Sequence, residues 1–318
     1  DPKKTSPILS NNKQIFVNRT LNFAKVKLVG FDMDHTLALY RQDTFEALAF
    51  HESLKKFVAA GYPEELITLK FKPNFIIRGL LVDRDKGNVL KVDTHKYVKI
   101  AYHGHRKLTK EERYKLYNSS IFNPEEFESV DTIFSLSEVQ LFTEIVHYMS
   151  INPGKIEKSY LEVYKDIRTF IDLSHKDGSI KNKVIKNPEH FIKKDKNLAP
   201  TLVRLIDSGK KLFVLTNSHY SYSNSILSFL LDNANNDFPH WKDYWKFILV
   251  GAGKPGFFLG DQPFFEVIEE SNFLKECGNS LDDKKVYHGG NAQLFEQLSK
   301  YSGDDILYVG DHIYGDII

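Results

Sequence analysis

The sequence predicts an α/β fold, a doubly wound, mainly parallel, Rossmann-like sheet core with an inserted, mainly helical α+β cap domain. The first observation is a set of four short apolar runs whose centres do not alternate between apolar and polar residues. Such runs are typical of parallel strands covered on both faces. The second is that polar, acidic or glycine-rich residues follow each run. The runs are "VKLVGF" (26–31), "KLFVL" (211–215), "KFILV" (246–250) and "DILYV" (305–309).

Helical patterns separate the later runs. Residues 198–209 repeat leucine and isoleucine at helical spacing and stop at Gly209, a residue type that ends many helices. Residues 221–231 carry a second helical repeat. Because strand and helix alternate from residue 198 onward, this part of the chain is predicted to form the α/β unit.

The alternation of strand and helix breaks between the first and second runs. Residues 78–104 alternate between apolar and polar side chains and contain an Asp-Lys-Gly-Asn turn. This pattern predicts an antiparallel β-meander. Residues 109–195 have mainly helical patterns. We therefore predict an α/β core formed by residues 1–104 and 196–318, interrupted by a cap domain at 105–195.

Composition limits the functional classes. The chain has 43 Lys plus Arg residues and 42 Asp plus Glu residues, so it lacks the basic excess of a nucleic-acid binder. The lysines of residues 181–196 are interpreted as a solvated face. Cys277 is the single cysteine, which excludes an intrachain disulfide. Because a structural zinc site would lack further thiol ligands, the His-Gly-His at 103–105 is interpreted as a solvated turn. No signal peptide and no apolar stretch of membrane-spanning length is recognisable. We expect a cytoplasmic protein that binds neither nucleic acid nor membranes.

Paired carboxylates form the first candidate site. Asp32 and Asp34 directly follow the first run, and taken alone such a pair is most simply a solvated loop or a helix cap. The charge of Asp32 at the end of a buried strand is costly, however, unless a cation or several donors meet it. Asp311 and Asp316 follow the fourth run, and the carboxyl ends of parallel strands share one sheet edge. Together they predict a Mg²⁺ site, since this ion takes oxygen ligands.

Candidate phosphate ligands follow the other two runs. Thr216 in "TNS" and Lys254 in "GAGKPG" can hold phosphate oxygens through a hydroxyl and an ammonium group. The segment is no P-loop, because Ile248 and Pro255 replace the required glycine and Ser/Thr. With one aspartate as nucleophile and another as acid/base, these groups support phosphoryl transfer through an aspartyl-phosphate.

The motifs resemble those of a known superfamily. "FDMDHTLA" resembles the DxDxT motif of the haloacid dehalogenase superfamily of phosphotransferases, and "LFVLTNS", Lys254 and "YVGDHIYGD" resemble its second, third and fourth motifs in the same order. Over nearly the whole chain, stretches such as "GYPEEL", "RGLLVD", "TNSHYSYS" and "ILYVGDHIYGDI" are similar to the cytosolic purine 5′-nucleotidases of the IMP/GMP-preferring branch.

The resemblance implies residue roles in the core. Asp32 would be the nucleophile and Asp34 the acid/base. The residues that would hold Mg²⁺ are Asp32, the Asp34 carbonyl and Asp311, with Asp316 near the metal. The residues that would grip the phosphate are Thr216, Asn217 and Lys254.

Base recognition in that branch comes from the inserted cap. The resemblance places base contacts on Phe134, Arg168, Asp172, His175 and Lys181. An aromatic ring such as that of Phe134 can stack on a base. Arg168 and Asp172 are four residues apart on one helix face, where an ordinary surface ion pair is the alternative interpretation.

These features predict a Mg²⁺-dependent 5′-nucleotidase that hydrolyses purine nucleoside 5′-monophosphates, with IMP and GMP preferred and with phosphoryl transfer to nucleosides as a second outcome. The alternative is a non-catalytic nucleotide-sensing or interaction protein that retains the fold. Members of the branch are often oligomeric, so the resemblance also implies a homo-oligomer. The chain ends directly after the fourth motif, and we expect these residues to belong to a longer protein.

Overall fold

The computed structural model describes residues 21–73, 75–117, 123–130, 133–271, 273–312 and 315–316, without the side chains of 133 and 134. The chain divides into two compact units, each treated by itself below. The first unit comprises Asp1–Leu37 and Asp195–Ile318, and the second comprises Ala38–Lys194.

The strands of the described residues are, in chain order, β1 (Leu28–Phe31), β2 (Leu39–Tyr40), β3 (Leu80–Asp83), β4 (Asn88–Val92), β5 (Val98–His103), β6 (Arg106–Lys107), β7 (Glu128–Val130), β8 (Ile192–Lys193), β9 (Lys211–Leu215), β10 (Phe247–Val250), β11 (Phe264–Ile268), β12 (Phe273–Glu276), β13 (Val286–Gly289) and β14 (Ile306–Val309).

The α-helices of the same residues are α1 (Gln42–Ala59), α2 (Lys110–Leu116), α3 (Ile133–Ile151), α4 (Tyr160–Lys176), α5 (Lys181–Lys186), α6 (Pro188–Phe191), α7 (Leu198–Asp207), α8 (Tyr220–Leu231), α9 (Gly256–Leu259) and α10 (Ala292–Ser299). Short 3₁₀-helices lie at Glu64–Thr68, Pro124–Glu126, Trp241–Tyr244 and Gly303–Asp305. None of the helices in the described ranges has both the length and the apolar character needed to cross a membrane.

The first unit is built on a seven-stranded sheet of order β12-β11-β13-β10-β9-β1-β14. The five strands from β13 to β14 pair in parallel, whereas β11 and β12 pair antiparallel. Four of the parallel strands, β1, β9, β10 and β14, coincide with the four apolar runs of the sequence. A mixed α/β fold whose sheet contains parallel strands is thus confirmed. The pattern does not reveal β11, β12 or β13, because short strands near a sheet edge need no continuous apolar run.

Close packing explains local sequence choices in this unit. Leu28, Phe213 and Phe247 belong to one buried apolar cluster on the sheet. Gly30 lies under the Phe213 ring, and a Cβ atom there would be 2.1 Å from Phe213 Cζ, so only glycine fits. The helix α7 ends just before Gly209, whose φ of +83° lies in the left-handed region that glycine tolerates.

The second unit contains an antiparallel sheet of order β6-β5-β4-β3-β7. Strands β3, β4 and β5 form the meander expected at residues 78–104. Its side chains alternate between two faces: Val82 and Val89 join the large apolar cluster with α1, α3 and α4. Leu90 and Ala101 join a smaller cluster on the other face. This period of two follows from the pleat of a strand.

The boundary between the units differs from the expected one. The sequence predicts residues 38–104 in the core and a cap that begins at residue 105, whereas the structure places 38–104 in the second unit. Two kinds of contact account for the difference: β3 pairs with β7, and Phe50 of α1 shares an apolar cluster with Phe142 of α3. The second boundary, between Lys194 and Asp195, lies one residue from the expected position.

The His-Gly-His turn also differs from its interpretation as a merely solvated turn. His103 is half-buried at the end of β5, where Nδ1 lies 2.9 Å from Asn88 Oδ1 and Nε2 lies 3.3 Å from the Tyr160 hydroxyl. His105 Nε2 lies 2.9 Å from Glu144 Oε1. Both imidazoles are held by polar neighbours that are distant in sequence, which no local pattern reveals.

Candidate active site

The carboxyl ends of four neighbouring parallel strands carry the predicted core site residues. Asp32 immediately follows β1, Thr216 follows β9, Lys254 lies in the loop after β10, and Asp311 follows β14. Parallel pairing in register places these strand ends along the same edge of the sheet. The backbone continues this pairing at the site, because the Asp32 N–H donates to the Val309 carbonyl over 2.9 Å.

A buried lysine lies among the acidic groups. Lys254 Nζ is 2.9 Å from Oδ1 of Asp32 and 2.6 Å from Oδ1 of Asp316. It also donates to the Tyr308 hydroxyl over 2.7 Å. All three charged side chains are at least nine-tenths buried. One buried ammonium group therefore faces two buried carboxylates.

Asp32 is strongly affected by this environment. Burial raises the pKa of Asp32 to about 7, and the neighbouring Lys254 ammonium opposes the rise without cancelling it. The negative charges of Asp34 and Asp316 make smaller contributions to this rise. A carboxylate held in this way is stabilised by any additional cation at the site.

Three carboxylates are close enough to share a metal ion. One oxygen each of Asp32, Asp311 and Asp316 lies within 4.8 Å of the others. Asp32 and Asp316 are buried and Asp311 is exposed, so the cluster is open on one side. The donors are all carboxylate oxygens, the ligand type of hard divalent cations. The trio thus fits a divalent metal ion.

Asp316 has further partners that fix its position. Its Oδ1 accepts from Lys254 and from the Tyr308 hydroxyl, the latter over 3.1 Å. Its Oδ2 accepts from the His312 backbone N–H over 3.0 Å. Asp316 therefore anchors the lysine and its own loop, whereas Asp32 and Asp311 are less tied to protein donors.

The "TNS" segment contacts both neighbouring loops. The Asn217 side chain accepts from the Lys254 N–H over 2.7 Å and donates to the Lys254 carbonyl over 3.0 Å. Ser218 Oγ donates to Asp34 Oδ2 over 2.8 Å, and the buried Thr216 hydroxyl accepts from the Ser218 N–H over 3.1 Å. Asn217 thus holds the lysine loop, and Ser218 orients Asp34.

Two of these groups are absent from the sequence-based site. Tyr308 and Ser218 contact the lysine and the second aspartate, although neither has an assigned role in the sequence. The signal for Tyr308 is a hydroxyl-bearing residue inside an otherwise aliphatic parallel strand. Ser218 lies within a quoted motif, but its contact with Asp34 spans 184 positions.

Nearly the whole chain is similar to known proteins. The family model described as the 5′ nucleotidase family matches residues 15–318. The chain belongs to the 5′ nucleotidase family. The Asp32–Lys254 site and the whole second unit lie within the region that matches this family.

Individual 5′-nucleotidase domain proteins are similar over the same region. A 5′-nucleotidase domain-containing protein of Dictyostelium discoideum is 31% identical over 315 residues, which cover 96% of this chain and 53% of that protein. The human 5′-nucleotidase domain-containing protein 2 is 28% identical over 324 residues, which cover 97% of this chain and 61% of that protein. The chain thus spans less than two thirds of the length of either relative.

The residues that are expected to bind the base in this chain all lie in the second unit. The helix α4 carries Arg168, Asp172 and His175, and Lys181 begins α5. The side chain of Phe134 lies outside the described residues.

Arg168 is the base-binding candidate whose ionic contacts are clearest. Its Nη1 is 3.2 Å from Glu128 and its Nε is 3.7 Å from Glu138, so its ion-pair partners here are glutamates rather than Asp172. The negative charge of Glu138 is the main cause of the raised pKa of Arg168.

Proposed function

We propose that this chain forms the catalytic part of a Mg²⁺-dependent 5′-nucleotidase that hydrolyses purine nucleoside 5′-monophosphates, with IMP and GMP preferred over AMP. The observation that carries the proposal is the buried Asp32 carboxylate, 2.9 Å from the Lys254 ammonium and within 4.8 Å of two further carboxylates. This arrangement combines a nucleophile, a cation for phosphate and ligands for a metal. Membership of the 5′ nucleotidase family supports the substrate class.

Asp32 is assigned the attack on phosphorus. A bond forms between its carboxylate oxygen and phosphorus while the bond from phosphorus to the nucleoside O5′ breaks. Asp34 donates a proton to the departing O5′ and then takes a proton from the water that cleaves the aspartyl-phosphate. The products are nucleoside and inorganic phosphate, and Asp32 is restored. A nucleoside hydroxyl that replaces the water would receive the phosphoryl group instead.

The neighbouring residues prepare these steps. Lys254 favours the ionised form of Asp32 and offers positive charge to the phosphate. The Ser218 hydroxyl holds Asp34 through its Oδ2. Because the Thr216 hydroxyl oxygen accepts from the Ser218 N–H, its proton can be donated to a phosphate oxygen. Asn217 acts on the phosphate mainly by positioning Lys254.

Mg²⁺ would be held by Asp32 and Asp311, together with the Asp34 carbonyl, with Asp316 near the metal and also bonded to Lys254. When bound there, Mg²⁺ supplies positive charge that offsets the carboxylates and the phosphate oxygens. Burial of Asp32 makes this charge more important, since its pKa of about 7 leaves the free carboxyl partly protonated at neutral pH.

The base preference rests on donors of the second unit. Arg168 and Lys181 can donate to the ring carbonyl of a 6-oxopurine but not favourably to the exocyclic amine of adenine. Asp172, His175 and Phe134 are assigned the remaining base contacts. The proposal places Arg168 between its glutamate partners and the base, which its five N–H donors allow.

The activity is tested by phosphate release from IMP. The full-length protein is assayed with Mg²⁺, with EDTA, as Asp32→Asn and as the matched control Asp237→Asn, an exposed aspartate in a loop of the same unit. We expect release with Mg²⁺ in the wild type and the control, and loss by at least about 10³-fold in EDTA and in D32N. Absence of Mg²⁺-dependent release from any monophosphate would favour the alternative, a non-catalytic nucleotide-sensing protein.

A substrate panel tests the base preference separately. IMP, GMP, AMP, CMP and UMP are compared by kcat/KM, with inosine added in a second series to detect phosphoryl transfer. We expect IMP and GMP to lead, and Arg168→Gln to reduce their kcat/KM more than that of AMP. AMP as the fastest substrate would contradict the base assignment while leaving the hydrolytic proposal intact.

A further inference from the structure

The second unit contains a cavity of about 450 Å³ that none of the proposed catalytic or base-binding residues lines. It lies on one face of the meander, where it is closed by the segment before β3 and by one residue of α3. The lining residues are Phe75, Ile76, Ile77, Leu80, Val89, Lys91, Ile100, Tyr102 and Thr143. Cavities of roughly 300–1,000 Å³ suit small molecules rather than folded partners.

The pairing of the strands creates the apolar floor. Val89 pairs with Tyr102 and Lys91 pairs with Ile100, so the alternation of β4 and β5 turns these four residues to the same face. The buried Thr143 hydroxyl, which also lines the cavity, donates to the Val139 carbonyl over 2.8 Å. A ligand must therefore present an apolar body to this part of the cavity.

The rim leaves large apolar side chains in contact with water. Ile77 is 50% exposed, Phe75 is 39% exposed and Tyr102 is 36% exposed. All three residues line the same cavity, whereas isolated exposed apolar residues are ordinary on protein surfaces. Covering them with a ligand would remove apolar surface from water, which favours binding.

The charge at the opening is positive. Lys91 is exposed, and no carboxylate of the described residues lies within ion-pairing distance of it. A second lysine, Lys72, lies over the outer wall with its Nζ 5.6 Å from the centroid of the Phe75 ring, but it pairs with Glu144 over 3.0 Å. Lys91 and the Tyr102 phenol are diagonal neighbours on the sheet face, so both can reach one anionic group.

We propose that this cavity binds a small amphipathic anion, with an aromatic or branched aliphatic body in the pocket and a carboxylate or sulfonate against Lys91 and Tyr102. The apolar floor, the exposed rim and the unpaired Lys91 define the ligand class. The site is additional to the nucleotidase site and does not depend on the proposed activity.

The test uses the aromatic sulfonate 8-anilinonaphthalene-1-sulfonate as the probe, added to the full-length protein and followed by fluorescence. Lys91→Gln removes the charge at the opening. The matched control is Lys99→Gln, which removes an exposed lysine of β5 outside the lining. We expect K91Q to weaken binding about fivefold, since a partly exposed ion pair contributes about 1 kcal/mol, and K99Q to change it less than about twofold.

A second variant tests the cavity itself. Ile77→Glu places a negative charge at the exposed rim, where a substitution does not disturb the core, and we expect it to reduce binding at least about tenfold. The neutral analogue N-phenyl-1-naphthylamine should lose less affinity than the sulfonate in K91Q. Equal effects of K91Q and K99Q, or unchanged binding in I77E, would overturn the proposal and indicate nonspecific dye adsorption.

Discussion

Lys254 Nζ lies 2.6 Å from Oδ1 of Asp316, and the two buried side chains join the loop after β10 to the loop after β14. The two residues are 62 positions apart in the sequence. Asp32 also contacts the Lys254 ammonium group. Removing one charge from a buried pair is more costly than removing both, because the remaining charge lacks compensation. This asymmetry gives the first prediction.

Lys254→Met is expected to lower the free energy of unfolding by about 3–5 kcal/mol, because Asp32 and Asp316 lose their common cation. The double variant K254M/D316N should recover part of that loss, since only Asp32 then remains uncompensated. Urea unfolding at pH 7.5 without divalent ions measures both values and that of Asp316→Asn alone. Strictly additive effects of the two substitutions would show that the residues are not coupled.

Tyr308→Phe is expected to lower kcat for phosphate release at least about tenfold with little change in KM. Its hydroxyl accepts from Lys254 and donates toward Asp316 and the Leu215 carbonyl. Its removal therefore takes away one of the three side-chain groups that hold the lysine head group. Stability should fall by only about 1–2 kcal/mol. Tyr301→Phe, in the apolar cluster of the same unit, is the control. A kcat equal to that of Y301F would exclude a positioning role.

Gly310→Ala is expected to displace Asp316. A Cβ atom at position 310 would lie 2.4 Å from Cγ of Asp316, a contact that forces one of the two groups to move. We expect loss of phosphate release and weaker retention of divalent metal, measured by equilibrium dialysis with Mn²⁺. Gly278→Ala, where a Cβ atom meets nothing within 4 Å, should behave like the wild type. Full activity in G310A would show that the position of Asp316 is not critical.

His103 makes the stability of the protein depend on pH. Burial lowers the pKa of His103 below its ordinary value of 6.5, so the unfolded chain binds the proton more readily than the folded chain. The free energy of unfolding should therefore decrease as the pH falls below 6.5. The positive charge of Arg106 adds to the effect of burial, and the two imidazole nitrogens lie next to Asn88 Oδ1 and the Tyr160 hydroxyl.

His103→Gln should reduce this decrease between pH 7 and pH 5, as measured by urea unfolding at each pH. His95→Gln removes an exposed imidazole near the same sheet and should leave the slope unchanged. The other histidines with lowered pKa values, His51, His147 and His288, remain in the variant, so the slope should be reduced rather than abolished. Identical slopes for H103Q and the wild type would contradict the assignment.

The sequence by itself determined four of the five parallel strands of the described sheet and the residues at their ends. An apolar run without alternation has few alternatives to a buried strand, and the polar residues after such runs meet at one edge when the strands pair in parallel. Asp32, Thr216 and Lys254 were therefore identifiable without coordinates. The family resemblance supplied roles for these residues, which periodicity alone does not provide.

Only the tertiary structure decided which polar and charged groups of the site contact one another. Asp316 accepts from Lys254, Tyr308 and His312, and Asn217 binds the lysine backbone, because loops distant in sequence meet there. The same is true of the boundary at Ala38, where pairing of β3 with β7 transfers the meander to the second unit. Local patterns specify which face of a strand or helix is apolar, but the partner of a buried polar group depends on the three-dimensional packing of the whole unit.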